Sequence, residues 1–389
     1  MSCNVNPVFG SQGTTIFTVM SALANQHNAI NLGQGFPDED GPKAIREAAA
    51  RAFIEGPNQY PQMRGIPPLR KAIAAHSKRF HGLDFDPETE IVVTSGATEA
   101  LAACMLGLAG PGDEAIIIEP AYDCYRPILE AAGARVKAVR LQPPGWKLEE
   151  SALAAAFSPK TKVIVINTPL NPIGRVFTRA ELEMLAGLVK RHDALVVCDE
   201  VYEHLVFDGR QHVPMISLPG MRERCVRVGS AGKIFSLTGW KVGWIEGPSD
   251  LIRAVANAHQ FLTFTTPPGL QIGVAYGLEK EMAFTLNLTR ELQEKRDVLA
   301  AGLSRAGFDV LPCEGTYFLT ASIRNITNEP DRVFSERLTR EAGITPVPLS
   351  AFYGPDGPTH LVRFAFCKKR PVIDGVVKRL EKHFAGSLR

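Results

Sequence analysis

The sequence predicts an α/β fold in which a mostly parallel sheet is covered by helices and followed by a smaller α+β unit. Three observations predict it: short β-branched runs that alternate with helical stretches, polar residues that end those runs, and a change of texture after about residue 285. The runs occupy 91–94, 115–118, 162–166, 194–197 and 225–228. Continuous apolar runs of this length suit strands buried on both faces, as a parallel sheet requires. Between them, 97–108 and 179–191 carry helical spacing and good helix formers. Thr178 with Glu181 three residues on predicts a capping box at the start of the second. Beyond residue 285 come a long charged helix over 286–306, short strands near 316–320 and 361–366, and a final helix from Arg370. The expected division is a large domain over 45–285 and a small domain made of 1–44 and 286–389.

Bulk properties narrow the function. A chain of 389 residues exceeds what one core usually absorbs, so two domains are expected. Apolar residues make up 45% and charged residues 22%, with a net charge of +2, which gives no reason to expect disorder, a nucleic-acid partner or a membrane surface. No run approaches the roughly 20 apolar residues of a membrane span. The start, Met1 to Asn6, lacks the basic-then-apolar layout of a signal peptide, so a cytoplasmic location is expected. Seven cysteines without a CxxC pair point to reduced, mostly buried side chains rather than a disulfide framework or zinc site, and no metal is expected.

In open α/β sheets ligands bind beyond the carboxyl ends of the strands, so the residues that end these runs carry the chemistry. Run 91–94 leads into Ser95-Gly96-Ala97-Thr98, small residues at a helix start, which form either an ordinary cap turn or a phosphate site. Run 162–166 leads into Asn167-Thr168-Pro169-Leu170-Asn171-Pro172-Ile173-Gly174, a fixed turn that presents Asn171. Run 194–197 leads into Cys198-Asp199-Glu200-Val201-Tyr202. A carboxylate there needs a cation, either a protein Arg or Lys or the protonated pyridine nitrogen of a cofactor. Lys233, in Ser230-Ala231-Gly232-Lys233, sits in an apolar context that lowers an amine's pKa and makes it a nucleophile.

In chain order, Asn31-Leu32-Gly33-Gln34-Gly35-Phe36-Pro37, Asn58-Gln59-Tyr60, 94–100, Glu119-Pro120-Ala121-Tyr122, 167–174, Asp199-Glu200-Val201-Tyr202, 230–233 and Gly239-Trp240-Lys241 resemble the motifs of class I aminotransferases, which use pyridoxal 5'-phosphate (PLP) on fold type I. The resemblance covers nearly the whole chain and is greatest to the branch of kynurenine/glutamine transaminases, methionine aminotransferases and N-succinyldiaminopimelate aminotransferases. It implies a seven-stranded, mostly parallel sheet and a homodimer with shared active sites. It implies further that Lys233 forms the Schiff base and moves the proton, Asp199 pairs with the pyridine nitrogen, Asn171 and Tyr202 bind the phenolate oxygen, and Tyr122 stacks on the ring. Ser230, Lys241 and the start of the 97–108 helix, with Gly96, Ala97 and Thr98, would hold the phosphate. Tyr60 would reach the partner's phosphate. Arg363 would clamp the substrate carboxylate, helped by Asn167, Asn171 and Gly35.

Other readings fare worse. Gly229 to Lys233 looks like a nucleotide loop, but Arg227 stands at the first glycine position and Ile234 where Ser or Thr should follow the lysine. Gly33-Gln34-Gly35 fails as a dinucleotide fingerprint because Asp38 occupies the third glycine position. A PLP-binding regulator would need a DNA-binding module ahead of Asn31, and none is expected. β-Elimination on cysteine conjugates requires only a leaving group on Cβ, so it stays open beside transamination. Phe17, Tyr60, Tyr122, Phe261, Phe264 and Phe352 are candidates for an apolar side-chain pocket, which favours apolar, aromatic, Met-like or Gln-like amino acids. Phe17 and Thr265 depart from the Trp and His common in the kynurenine branch, which counts against kynurenine itself. His204 and His212 are given no acid–base role, since Lys233 fills it.

Overall fold

The computed structural model describes residues 5–385. Met1 to Asn4, on which the signal-peptide expectation partly rests, and residues 386–389 lie outside the described residues. Seven strands form the large sheet, in the order Ile91–Thr94, Gly243–Glu246, Cys225–Ser230, Leu195–Asp199, Thr161–Asn167, Glu114–Glu119, Arg135–Arg140. Every neighbouring pair is parallel except the two that flank Gly243–Glu246. The β-branched runs are the buried centre of this sheet. Successive residues alternate between its faces, so that Val163 and Val165 join one apolar core while Ile164 and Ile166 join the other.

All five expected runs are strands, with ends shifted by one or two residues. Arg135–Arg140 and Gly243–Glu246 were not foreseen. Helices Ala97–Leu108 and Arg179–Arg191 fall where expected. Thr178 and Glu181 form the reciprocal capping box, satisfying two amides that the helix start leaves free.

A second sheet of four antiparallel strands runs Val347–Pro348, Leu361–Ala365, Phe318–Ser322, Asp309–Val310. Helices Met282–Arg305 and Arg370–Phe384 pack on each other beside it. The long helix begins four residues before the expected 286, directly after Glu281, which ends the preceding helix. A parallel bridge between Ile30–Asn31 and Ile344–Thr345 ties the N-terminal segment to this unit. That bridge carries residues 33–37 over the carboxyl ends of the large sheet. No helix among the described residues is long and apolar enough to cross a membrane. The six described cysteines are free, and five are buried.

Candidate active site

A cavity of about 310 Å³ opens where the parallel strands end. Its lining gathers Gly35, Gly96, Ala97, Thr98, Tyr122, Asn167, Asn171, Asp199, Tyr202, Ser230, Lys233, Lys241 and Arg363. The parallel sheet brings most of these residues to one edge, where its strands' carboxyl ends lie, while Gly35 comes from the N-terminal segment and Arg363 from the antiparallel sheet, 328 positions apart.

Asp199 ends its strand and is 5% exposed. Its carboxylate accepts hydrogen bonds from the Tyr125 hydroxyl at 2.5 Å and the Val201 amide at 3.5 Å. No Lys, Arg or His among the described residues comes within ion-pair distance of it. Burial therefore pushes the carboxyl up to about 6, against the pull of those two donors and of the more distant Lys233 amine. The adjoining turn is locked to the same strand: Asn167 donates to the Asp199 carbonyl at 2.8 Å and accepts the Asn171 amide at 2.7 Å.

Lys233 lies on the short helix after strand Cys225–Ser230 and points its amine at the Tyr317 hydroxyl, 2.7 Å away. Tyr317 in turn donates to the Gly35 carbonyl at 2.7 Å. Burial lowers the Lys233 amine to about 8, which leaves a substantial neutral fraction near neutral pH. Gly35 has to be glycine: a Cβ there would fall 2.5 Å from Phe318.

At the other end, Arg363 is 1% exposed and has no carboxylate within ion-pair distance among the described residues. One guanidinium nitrogen donates to Asn171 at 2.9 Å, another to the Gly33 carbonyl at 2.6 Å, and Nε has no partner. Phe318, Phe352 and Phe17 surround the guanidinium at 3.9, 4.9 and 5.3 Å. Burial brings it down to about 10. One cavity thus holds a buried carboxylate and a buried guanidinium, each without an ion-pair partner among the described residues.

The family model for aminotransferase class I and II matches residues 27–380. The chain belongs to this family. Among curated relatives, a probable N-succinyldiaminopimelate aminotransferase of Mycobacterium tuberculosis is 45% identical over 378 residues, covering 94% of this chain and 95% of that one. A methionine aminotransferase of Escherichia coli is 40% identical, covering 95% of this chain and 96% of its own length. The solved structure of the M. tuberculosis N-succinyldiaminopimelate aminotransferase superposes with a TM-score of 0.95 at 44% identity, covering 97% of this chain and 99% of that one.

This aminotransferase has the fold type I architecture expected from its motifs. Not every expected site residue reaches the cavity of its own chain. Tyr60 is 84% exposed and packs edge-on to Phe264, outside the lining. Of the six aromatic pocket candidates, Phe17 and Tyr122 line the cavity and Phe352 backs Arg363, whereas Tyr60, Phe261 and Phe264 lie on the surface. His204 and His212 lie outside the lining as well. Three contributors escaped the sequence reading: Tyr125, Tyr317 and Phe318. The first stands three residues after Tyr122 in an aromatic-rich motif; Phe318 opens the strand that pairs with the Arg363 strand, and Tyr317 directly precedes it.

Proposed function

We propose that the cavity holds PLP and that the enzyme transfers the amino group of an L-amino acid, with an apolar, aromatic, Met-like or Gln-like side chain, to a 2-oxo acid in a ping-pong cycle. The observation that carries this reading is the pair of uncompensated charges. Asp199 suits the pyridinium nitrogen of the cofactor, and Arg363 suits the α-carboxylate of an amino acid, whose planar oxygens match a guanidinium fork. The phosphate end fits the start of helix Ala97–Leu108, where the free amides of Ala97 and Thr98 join Ser230 and Lys241. Tyr122 and Tyr202 flank the space between the two ends.

When bound, PLP supplies an electrophilic carbonyl and a conjugated cationic ring that takes up the electrons of the substrate Cα–H bond. The chain's own groups do the rest. Lys233 Nζ would hold the cofactor and, once free, would be the base positioned to take the substrate Cα proton. Tyr317 holds that amine by one hydrogen bond and the Gly35 carbonyl by another, linking the base to the segment that covers the substrate. Asp199 would hold a proton at the ring nitrogen, while Arg363 would fix the substrate carboxylate in the Lys233 cavity. The same residues run the second half in reverse with the incoming oxo acid.

A second reading, transamination of N-succinyldiaminopimelate, is favoured by the 45% identity to the M. tuberculosis relative of that name. The two readings share the α-carboxylate clamp and differ only in the side chain taken. The deciding experiment is an absorption spectrum of the purified protein, followed by single amino acids with no oxo acid present. The expected result is a yellow lysine-bound cofactor that Met, Gln, Phe or N-succinyldiaminopimelate converts to pyridoxamine phosphate, which also ranks the donors. No yellow band after PLP is supplied would overturn the cofactor assignment. Release of pyruvate and ammonia from cysteine conjugates without pyridoxamine phosphate would replace transamination by β-elimination.

A further inference from the structure

Away from the cavity, helix Pro67–His81 meets the turns that follow strand Leu195–Asp199, and four of the chain's nine histidines gather there: His76, His81, His204 and His212. None of them lines the cavity. Beside them Arg227 donates to Glu200 at 2.9 Å, Glu203 at 2.6 Å and Glu246 at 2.7 Å, and the side chains of all four are at most 1% exposed. One guanidinium therefore faces three buried carboxylates. With neutral imidazoles the cluster carries two surplus negative charges in a medium where unpaired charge is costly.

The ligating atoms are already grouped. His76 Nε2, His204 Nε2 and a carboxylate oxygen of Glu203 lie within 4.8 Å of one another. His81 Nε2 touches the same Glu203 carboxylate. The His76 and His204 Nε2 atoms aim at each other across 2.7 Å, and His76 Nδ1 has no partner although the residue is 3% exposed. One imidazole donates to the other at this distance, and once the shared proton leaves, the two nitrogens and the carboxylate oxygen make a good donor set for a metal ion.

We propose that His76, Glu203 and His204 form a buried site for one divalent transition metal of the zinc class, with His81 bonded to the Glu203 carboxylate beside it. Two imidazoles and a carboxylate are a borderline-soft set that suits zinc, and a dication cancels the surplus charge. Arg227 orients the Glu203 carboxylate from the second shell, and the Thr289 hydroxyl anchors the His204 backbone at 2.9 Å. Binding requires the proton shared by the two nitrogens to leave, the nitrogens to part from 2.7 Å to about 3.4 Å, the span across a tetrahedral centre with bonds of about 2.05 Å, and both rings to turn towards the ion. Three protein ligands hold the ion and a water completes the tetrahedron. The site ties helix Pro67–His81 to the turn that follows Asp199 and carries Tyr202, and it is independent of the cofactor and substrate readings.

The test uses the full, untagged chain, stripped with a chelator and titrated with Zn²⁺ alone or Co²⁺ alone. The expected results are uptake of one equivalent per chain, a higher melting temperature with zinc, and the intense visible bands of four-coordinate cobalt. Glu203→Gln and His204→Ala should each weaken zinc binding at least about tenfold. Substoichiometric uptake, a weak six-coordinate cobalt spectrum, or unchanged affinity in both variants would overturn the site. If either variant fails to fold, the wild-type cobalt spectrum and stoichiometry decide alone. Melting that responds to pH but not to metal would overturn it in favour of imidazolium ions as the compensating charges.

Discussion

At the residue scale the site turns on Asp199. Its folded pKa, about 6, stands above the ordinary 3.8 chiefly because of burial. A carboxyl raised in this way binds its proton more tightly folded than unfolded. Its contribution is therefore fully present below pH 3.8 and is lost as pH rises through 6. Above that, in cofactor-free protein, the ionised group is a net cost, at most on the order of 3 kcal/mol. Asp199→Asn removes the charge while keeping an acceptor for the Tyr125 hydroxyl. The cofactor-free variant should melt above wild type at about pH 8, and the two should converge towards pH 4. With PLP bound the order should reverse, because the wild-type carboxylate then has its cation. Calorimetry across that range checks both, and identical melting of the two cofactor-free proteins at every pH would show that the carboxylate is already satisfied by Tyr125.

At the element scale, the junction of strand Ile91–Thr94 with helix Ala97–Leu108 makes the phosphate end. Gly96 adopts φ +81°, a conformation that L side chains rarely take, and a Cβ there would lie 3.2 Å from Lys241 Cε. Gly96→Ala should retain the fold and raise the PLP dissociation constant at least about tenfold, corresponding to about 1–3 kcal/mol of backbone strain placed at the binding turn. Equilibrium dialysis with circular dichroism separates the two effects; unchanged affinity would remove this turn from the phosphate site. The same junction shows what was legible in the sequence. The central strands were readable because burial on both faces leaves an unbroken β-branched run, and the capping box because its spacing is local. Arg135–Arg140 was not, since an edge strand half open to water alternates Arg, Val, Lys, Ala and never forms such a run. Gly243–Glu246 was hidden because only Trp244 and Ile245 are apolar, between a glycine and a glutamate, which makes no β-branched run. Tyr317 and Tyr125 were invisible as site residues because their roles depend on contacts to Lys233, 84 residues away, and Asp199, 74 residues away. The histidine cluster escaped for the same reason: expectation of a metal rested on cysteine spacing, whereas His76 and His204 are 128 residues apart.

At the scale of the whole molecule, one expected site residue lies outside the cavity of its own chain. Tyr60 stands on the surface, 84% exposed, and Ile54 and Phe261 are exposed to at least the same degree, large apolar side chains that a monomer gains nothing by displaying. The proposed homodimer accounts for this if Tyr60 reaches the partner's phosphate. A chain carrying Tyr60→Ala retains its own Lys233 but loses the tyrosine it lends; a chain carrying Lys233→Ala retains the tyrosine but has no base. Each homodimer should be impaired, the second completely. In a mixed dimer, one of the two sites receives Lys233 from the first chain and Tyr60 from the second, and is intact. Co-refolding the two variants at limiting PLP should therefore restore activity above that of either alone, approaching half the wild-type value per mixed dimer. If Tyr60 acted within its own chain, every site in the mixture would lack one group and mixing would restore nothing. Sedimentation of the mixture distinguishes that result from a failure to exchange subunits, and a fully active monomer would abolish the shared site altogether.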